Sequence, residues 1–325
     1  LGVGTRLDLH CLHRGGVRRL HEGLLLAEQR DRVAIVALAL IVEQLWPEKR
    51  VTLVAHEALP SRYASIVPAH LEFKRGKEIP VERHDLALVL DGDTERLRDA
   101  GPHYGAADLK GIIDHHHGSI SRDFDVALYD AEAASTTELI FQLAELLNVT
   151  MSEAIAGAIY AGMVFDTSIF RYRLTRPATL RAAAQLLEAG IDHARIVENV
   201  LLQQSADKVR LRGRMIDKMQ VEADGRLAWA VLTEEEVQGV ESGGLVDDLV
   251  FVEGVEVGAL FVENHQGEFK ASLRSRGGVD VAKLAQAFSP MGGGHKRAAG
   301  ATLLGTFGEV IPGAIEMTLQ ALAES

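Results

Sequence analysis

Residues 113–118 read Ile-Asp-His-His-His-Gly. An acid followed by three imidazoles is a poor core filler and a good set of donors for a divalent metal or a phosphate. A solvated loop or an affinity tag would carry the same letters, but this run lies mid-chain after an apolar strand-like segment. Two further acidic points share its character. Asp91, with Asp93 beside it, ends "DLALVLD", and Asp166-Thr167 follows the small-residue stretch "SEAIAGAIYAGMVF". All three clusters are expected at strand ends. Carboxylates with imidazoles favour Mn²⁺, Mg²⁺ or Zn²⁺ over a thiophilic metal. Two such ions about 3.5–4 Å apart can clamp a phosphoryl group and activate water. One acid would be weak evidence; the joint pattern is stronger.

A second constellation lies near the C-terminal end. In "GGGHKRAAG", Gly292, Gly293 and Gly294 let backbone approach a ligand closely and can present N–H groups to an anion. His295, Lys296 and Arg297 add positive character. "SLRSR" contributes Arg274 and Arg276 at a strand end, and arginine recognises phosphate through a planar fork. A plain turn and a solvated strand end are the ordinary alternatives.

The elements that must position these residues are legible from periodicity. "EGLLLA", "KRVTLVA", "DLALVLD" and "KGIID" read as strands, while "VAIVALALIVEQLW" and "STTELIFQLAELLN" read as helices, the latter opening on Ser/Thr residues suited to capping. Such alternation predicts an α/β fold: a mostly parallel sheet with helices on both faces, ligands binding at the carboxyl ends of its strands. "TRPATLRAAAQLLEAG" is a helix, and the charged stretch from Ile191 to Gln220 reads as one long connecting helix. After about residue 218, "RLAWAVLT", "VEVGALFVEN" and "EFKASLRSR" are strands, followed by the helix "DVAKLAQAF", the glycine stretch and a final helix. The expected division is a metal-binding domain over 1–195, a helical linker over 196–217 and a smaller α/β domain over 218–325.

Composition sets bounds. The chain has 325 residues, is 47% hydrophobic and has a formal net charge of −12. That is enough apolar content for two cores, and the wrong charge for coating long duplex nucleic acid. A lone cysteine, Cys11, excludes an intramolecular disulfide and points to a reducing, cytoplasmic compartment. No stretch approaches the ~20 apolar residues of a membrane span, and the first residues lack an apolar signal core.

Asp114-His115-His116 at a strand end, with "GGGHKRAAGA" some way downstream in the same order, resembles the DHH–DHHA1 phosphoesterase family. Within it the chain is most similar to the bacterial oligoribonuclease and phosphoadenosine-phosphate phosphatase branch. The resemblance runs from about residue 37 to the C-terminal end. It implies the following roles. Asp91 bridges two Mn²⁺ ions, and His115 and Asp166 complete one metal site. His116 contacts the scissile phosphate, and Asp114 orients the imidazoles. Arg274 and Gly292, Gly293, Gly294 and His295 hold the nucleotide from the second domain, across an interdomain cleft. The implied substrates are short single-stranded RNA or DNA oligonucleotides, or phosphoadenosine phosphate; a homodimer is compatible with it.

The family's first motif is a histidine, three residues, then Asp-x-Asp. Counted back from "ALALIVEQLW", it falls on "AEQRDRV", with Ala27 in the histidine's place, Asp31 matching the first aspartate and Val33 in place of the second. This register leaves Asp31 and Asp91 for one ion, and Asp91, His115 and Asp166 for the other. With fewer ligands, and with Arg30 and Arg32 flanking, one Mn²⁺ or fewer is expected, and weak two-metal hydrolysis. Residues 1–36 hold several arginines and no lysine and match no family feature. A local shift of reading frame in the coding DNA would produce so abrupt a change, and a hidden His-x-x-Pro-Asp-x-Asp in a neighbouring frame would reveal it. The alternative function is a catalytically weak nucleotide-binding sensor.

Overall fold

The computed structural model describes residues 22–27, 32–55, 59–92, 94, 97–116, 124–265 and 267–325. The chain divides into two compact units, Leu1–Gln203 and Gln204–Ser325.

In the first unit the described elements run β1 (Glu22–Ala27), α1 (Arg32–Leu45), β2 (Arg50–Ala55), β3 (Phe73–Lys74), β4 (Leu86–Leu90), α2 (Gly101–Gly105), β5 (Leu109–Asp114), β6 (Val126–Tyr129), α3 (Thr136–Leu146), α4 (Glu153–Thr167), α5 (Pro177–Glu188) and α6 (His193–Val197). The strands form one parallel sheet in the order β3-β2-β1-β4-β5-β6. The chain builds outward from β1 to β3, then returns to lay β4 against the other side of β1. The junction of β1 and β4 is therefore the point where strand order reverses, the place where sheets of this kind bind ligands.

Strand alternation sends neighbouring side chains to opposite faces. Leu25, Leu53, Leu90 and Ile113 enter a large core beneath α1, α3, α4, α5 and α6. Leu24, Leu26, Val54, Val89 and Ile112 enter a smaller core closed by Leu97, Ala100 and Tyr104 of the short α2 region. Helices thus cover both faces, heavily on one and thinly on the other. Central helices α1 and α4 are apolar almost all round; α4 buries eleven of its residues, from Ile155 to Thr167. That is the pattern of a helix enclosed by others rather than one facing water.

The second unit runs α7 (Ala206–Asp217), β7 (Gln220–Glu222), β8 (Leu227–Leu232), α8 (Glu234–Val237), α9 (Val246–Val250), β9 (Val257–His265), β10 (Glu268–Ser275), α10 (Val281–Phe288), β11 (Gly293–His295), β12 (Ala298–Leu304) and α11 (Phe307–Ala323). Its sheet has the order β11-β12-β10-β9-β8-β7 and is antiparallel except at β8/β9. One face packs on α10 and α11, the other on α7 and α9.

Two expectations need revision. The stretch read as one long helix from Ile191 is α6, a π turn over Glu198–Leu202, a break at residues 203–205, and then α7. α7 contributes Leu211 and Met215 to the second unit's core, so it belongs to that unit by packing. Asp166 does not end a strand. It is the penultimate residue of α4 instead, because the small residues before it suit a buried helix as well as a strand.

Candidate metal centre

Asp91 follows β4 directly. Its N–H extends the ladder by one bond to Ile113 O (3.1 Å), and its backbone then turns left-handed at φ 56°. Aspartate tolerates that conformation better than most residues. The turn ends the strand beside the switch point and leaves Asp91 5% exposed.

One strand over, β5 ends in Asp114, which is wholly buried. Its Oδ1 accepts the N–H groups of His115 (2.7 Å) and His116 (3.2 Å) and the ring Nδ1–H of His116 (2.7 Å). Asp114 thereby pins both backbones and one imidazole. The other imidazole takes its bearing elsewhere: His115 Nδ1 lies 3.1 Å from Ala133 O. A carbonyl can only accept, so Nδ1 carries a proton, which leaves Nε2 as the nitrogen free to ligate in the neutral ring.

That Nε2 sits 3.7 Å from Asp91 Oδ1 and 3.8 Å from Asp166 Oδ2. His116 Nδ1 is 3.8 Å from Asp91 Oδ1. These separations are too long for hydrogen bonds. The first two suit donors that share one ion through bonds of about 2.0–2.2 Å; His116 Nδ1, protonated toward Asp114, has no lone pair to offer. Asp91, His115 and His116 form the one group among the described residues with three such donors gathered within 4.8 Å. Asp91 and His115 Nε2, with Asp166 reaching in from α4, therefore fit a divalent cation, and His116 lies beside them.

Sequence reading missed the supports. Ser135 caps α3 by accepting Glu138 N–H, and the next residue, Thr136, donates its hydroxyl to Asp91 Oδ1 (2.8 Å). The Ser/Thr cluster at the start of α3 was the available signal. On the far side, α4 ends in Asp166-Thr167, after which Ser168, Ile169 and Phe170 all carry positive φ (49°, 60° and 60°). Thr167 ties this left-handed turn, donating to Met163 O and accepting Phe170 N–H. Phe170 packs against Tyr160 of α4, whose phenol pairs with His193 Nδ1. Burial pushes that phenol above its usual pKa range, so it remains neutral.

Of the remaining first-motif positions, Asp31 lies outside the described residues. Ala27 ends β1, its backbone level with Leu90 of β4. Val33 is 0% exposed in the apolar core under α1, so it is no ligand. Arg32, the first residue of α1, is 1% exposed. It places a buried cation at the end of α1 that follows the carboxyl end of β1.

In the second unit, Arg274 lies on β10 with its Nε on Asp247 Oδ1 (2.7 Å) and Nη1 on Leu273 O. Asp247 fixes the guanidinium and offsets part of its charge. Arg276 stacks on Phe251, 5.4 Å from the ring centre. The glycines form a hairpin edge: Gly293, Gly294 and His295 pair with β12. A Cβ on Gly292 would meet Ala285 O of α10 at 1.9 Å, and Gly294 has φ 137°. Packing and backbone conformation account for those two glycines, whereas the space beside Gly293 is open. His295 and Lys296 are exposed.

Comparisons with known proteins agree with this architecture. The DHHA1 domain model matches residues 224–324. The chain is 32% identical over 269 residues to the bifunctional oligoribonuclease and PAP phosphatase NrnA of Thermus thermophilus, covering 82% of this chain and 78% of that one. An exopolyphosphatase-related protein from Bacteroides fragilis superposes with a TM-score of 0.81 at 24% identity, over 94% of this chain and 93% of the other. RecJ of Thermus thermophilus, crystallised with Mn²⁺, matches the fold with a TM-score of 0.50 at 15% identity, over 94% of this chain and 52% of RecJ. With its parallel sheet, its strand-end Asp-His-His and its C-terminal domain, the chain belongs to the DHH–DHHA1 family of metal-dependent phosphoesterases, on the NrnA branch.

Proposed function

We propose that the chain hydrolyses phosphate esters of short oligonucleotides, or the 3′-phosphate of phosphoadenosine phosphate, at a site holding one Mn²⁺ and turning over slowly. The observation that carries this reading is the convergence of Asp91, His115, His116 and Asp166 from three separate segments at the switch point of the parallel sheet. The name of the Thermus relative supports the substrate class.

When bound, the cation would supply Lewis-acid polarisation of a phosphoryl oxygen and lower the pKa of water. Asp91, His115 and Asp166 would hold it. His116, its Nδ1–H spent on Asp114, would turn Nε2 toward the phosphate. Asp114 keeps that tautomer and orientation. Arg274, pre-set by Asp247, and the hairpin of Gly292, Gly293, Gly294 and His295 would recognise the nucleotide. Two observations favour slow turnover: Val33 is sealed in the core where the family pattern has a carboxylate, and Arg32 buries a positive charge next to it.

The test is release of mononucleotide from a ribodinucleotide with added Mn²⁺. Slow, manganese-dependent release supports the reading. Robust turnover contradicts the reduced ligand set. Tight phosphoadenosine-phosphate binding with no turnover favours a nucleotide sensor instead.

A further inference from the structure

Glu138 is a carboxylate with 1% exposure in the first turn of α3, and it touches none of the metal donors. Its Oε2 accepts the N–H of Ala134 (2.9 Å) and the hydroxyl of Thr179 (2.9 Å). Its Oε1 faces Arg176 Nη2 at 3.4 Å. Burying a carboxylate is costly unless it is paired and hydrogen-bonded, and a capping residue alone would not require full burial.

The Ala134 N–H and the Ala133 C=O belong to the same peptide group. One edge of that plane binds Glu138, and the opposite edge accepts His115 Nδ1–H (3.1 Å). We propose that Glu138 is a positioning residue that acts on His115 through this single peptide. The carboxylate draws on the N–H, the amide polarises, and its carbonyl becomes a stronger acceptor for Nδ1–H. Hydrogen bonds in such a chain reinforce one another. The imidazole is held in one tautomer and its Nε2 becomes more basic, facing Asp91 and Asp166. Metal-bound histidines commonly donate their second ring N–H to a carboxylate or a carbonyl. Here a peptide stands between the two, so the charge stays on α3 while its influence reaches the site. Arg176 and Thr179, at the start of α5, hold Glu138 in place; Arg176 also lies 3.6 Å from Asp130 Oδ2, at the base of the same loop.

The proposal rests on His115 being a metal ligand, and its test separates the two claims. Mn²⁺ is titrated into wild type, Glu138→Gln and Thr179→Val, each checked for a cooperative thermal transition. The side-chain ¹⁵N resonances of His115 are recorded in metal-free wild type and Glu138→Gln. The expected result is about a tenfold or greater loss of Mn²⁺ affinity in Glu138→Gln. Thr179→Val, which loosens Glu138 but leaves its charge beside Ala134, should lower the midpoint and cost less affinity than Glu138→Gln. In wild type, His115 should carry its proton on Nδ1. Equal affinity in Glu138→Gln and wild type overturns the relay, as does a proton on Nε2 of His115. Wild type that binds no Mn²⁺ sinks the metal reading instead, and the His115 ¹⁵N shifts then decide the relay: a change in Glu138→Gln supports it and identical shifts overturn it. Should Glu138→Gln not fold, Glu138→Asp, which keeps the charge and shortens its reach, takes its place: a loss of Mn²⁺ affinity supports the relay and wild-type affinity overturns it.

Discussion

Thr136 and Asp91 show how much a single hydroxyl can decide. The Thr136 hydroxyl fills one acceptor position on Asp91 Oδ1 and fixes the carboxylate where His115 and His116 approach it. Thr136→Val keeps the shape and removes the donor. Because Thr136 is fully buried, no solvent replaces the bond. Mn²⁺ affinity should fall about 10-fold or more, read by titration, with the fold retained; unchanged affinity would mean that packing alone orients Asp91. At this scale the sequence was partly legible. Asp91, Asp114, His115 and Asp166 could be singled out by residue type, and the fold brings them together. Ala133 could not, since its contribution is a backbone carbonyl that any residue supplies. Asp247 was hidden among ordinary surface acids until the fold set it against Arg274.

Helix α4 and the turn that closes it place Asp166. A non-glycine residue in the left-handed region costs about 1–2 kcal/mol, and Ser168, Ile169 and Phe170 adopt it in succession. Such strain persists where surrounding contacts over-determine it, often at functional sites. Thr167 and the Tyr160–Phe170 contact supply those constraints directly after Asp166. Ser168→Gly should therefore match wild type in urea denaturation or gain up to about 1 kcal/mol, although the bond from Arg171 to the serine hydroxyl is lost. Ser168→Val should lose at least about 1 kcal/mol. Equal losses in both would show that the turn is not left-handed. The hand of the ending of α4 was not legible, because no glycine marks it. In the glycine-rich stretch, packing against α10 accounts for Gly292, while the space beside Gly293 is open.

Across the whole molecule, two sheets with separate cores were legible from alternating strand and helix periods and from the change of texture near residue 218. The boundary was less so. Leu211 and Met215 make α7 part of the second unit's core, a fact of packing that a charged helical pattern does not disclose. No helix among the described residues is long and apolar enough to cross a membrane. Helical periods also could not tell what stands at the first-motif positions. Val33 serves the core instead of the site, while Asp31 lies outside the described residues. The central quantity is therefore the number of ions the chain holds. Mn²⁺ should be counted and located by anomalous scattering at the manganese edge on crystals of the full chain grown with the metal. One ion per chain, ligated by Asp91, His115 and Asp166, is the predicted result. Two ions about 3.5–4 Å apart, or an ion bound away from these residues, would contradict it.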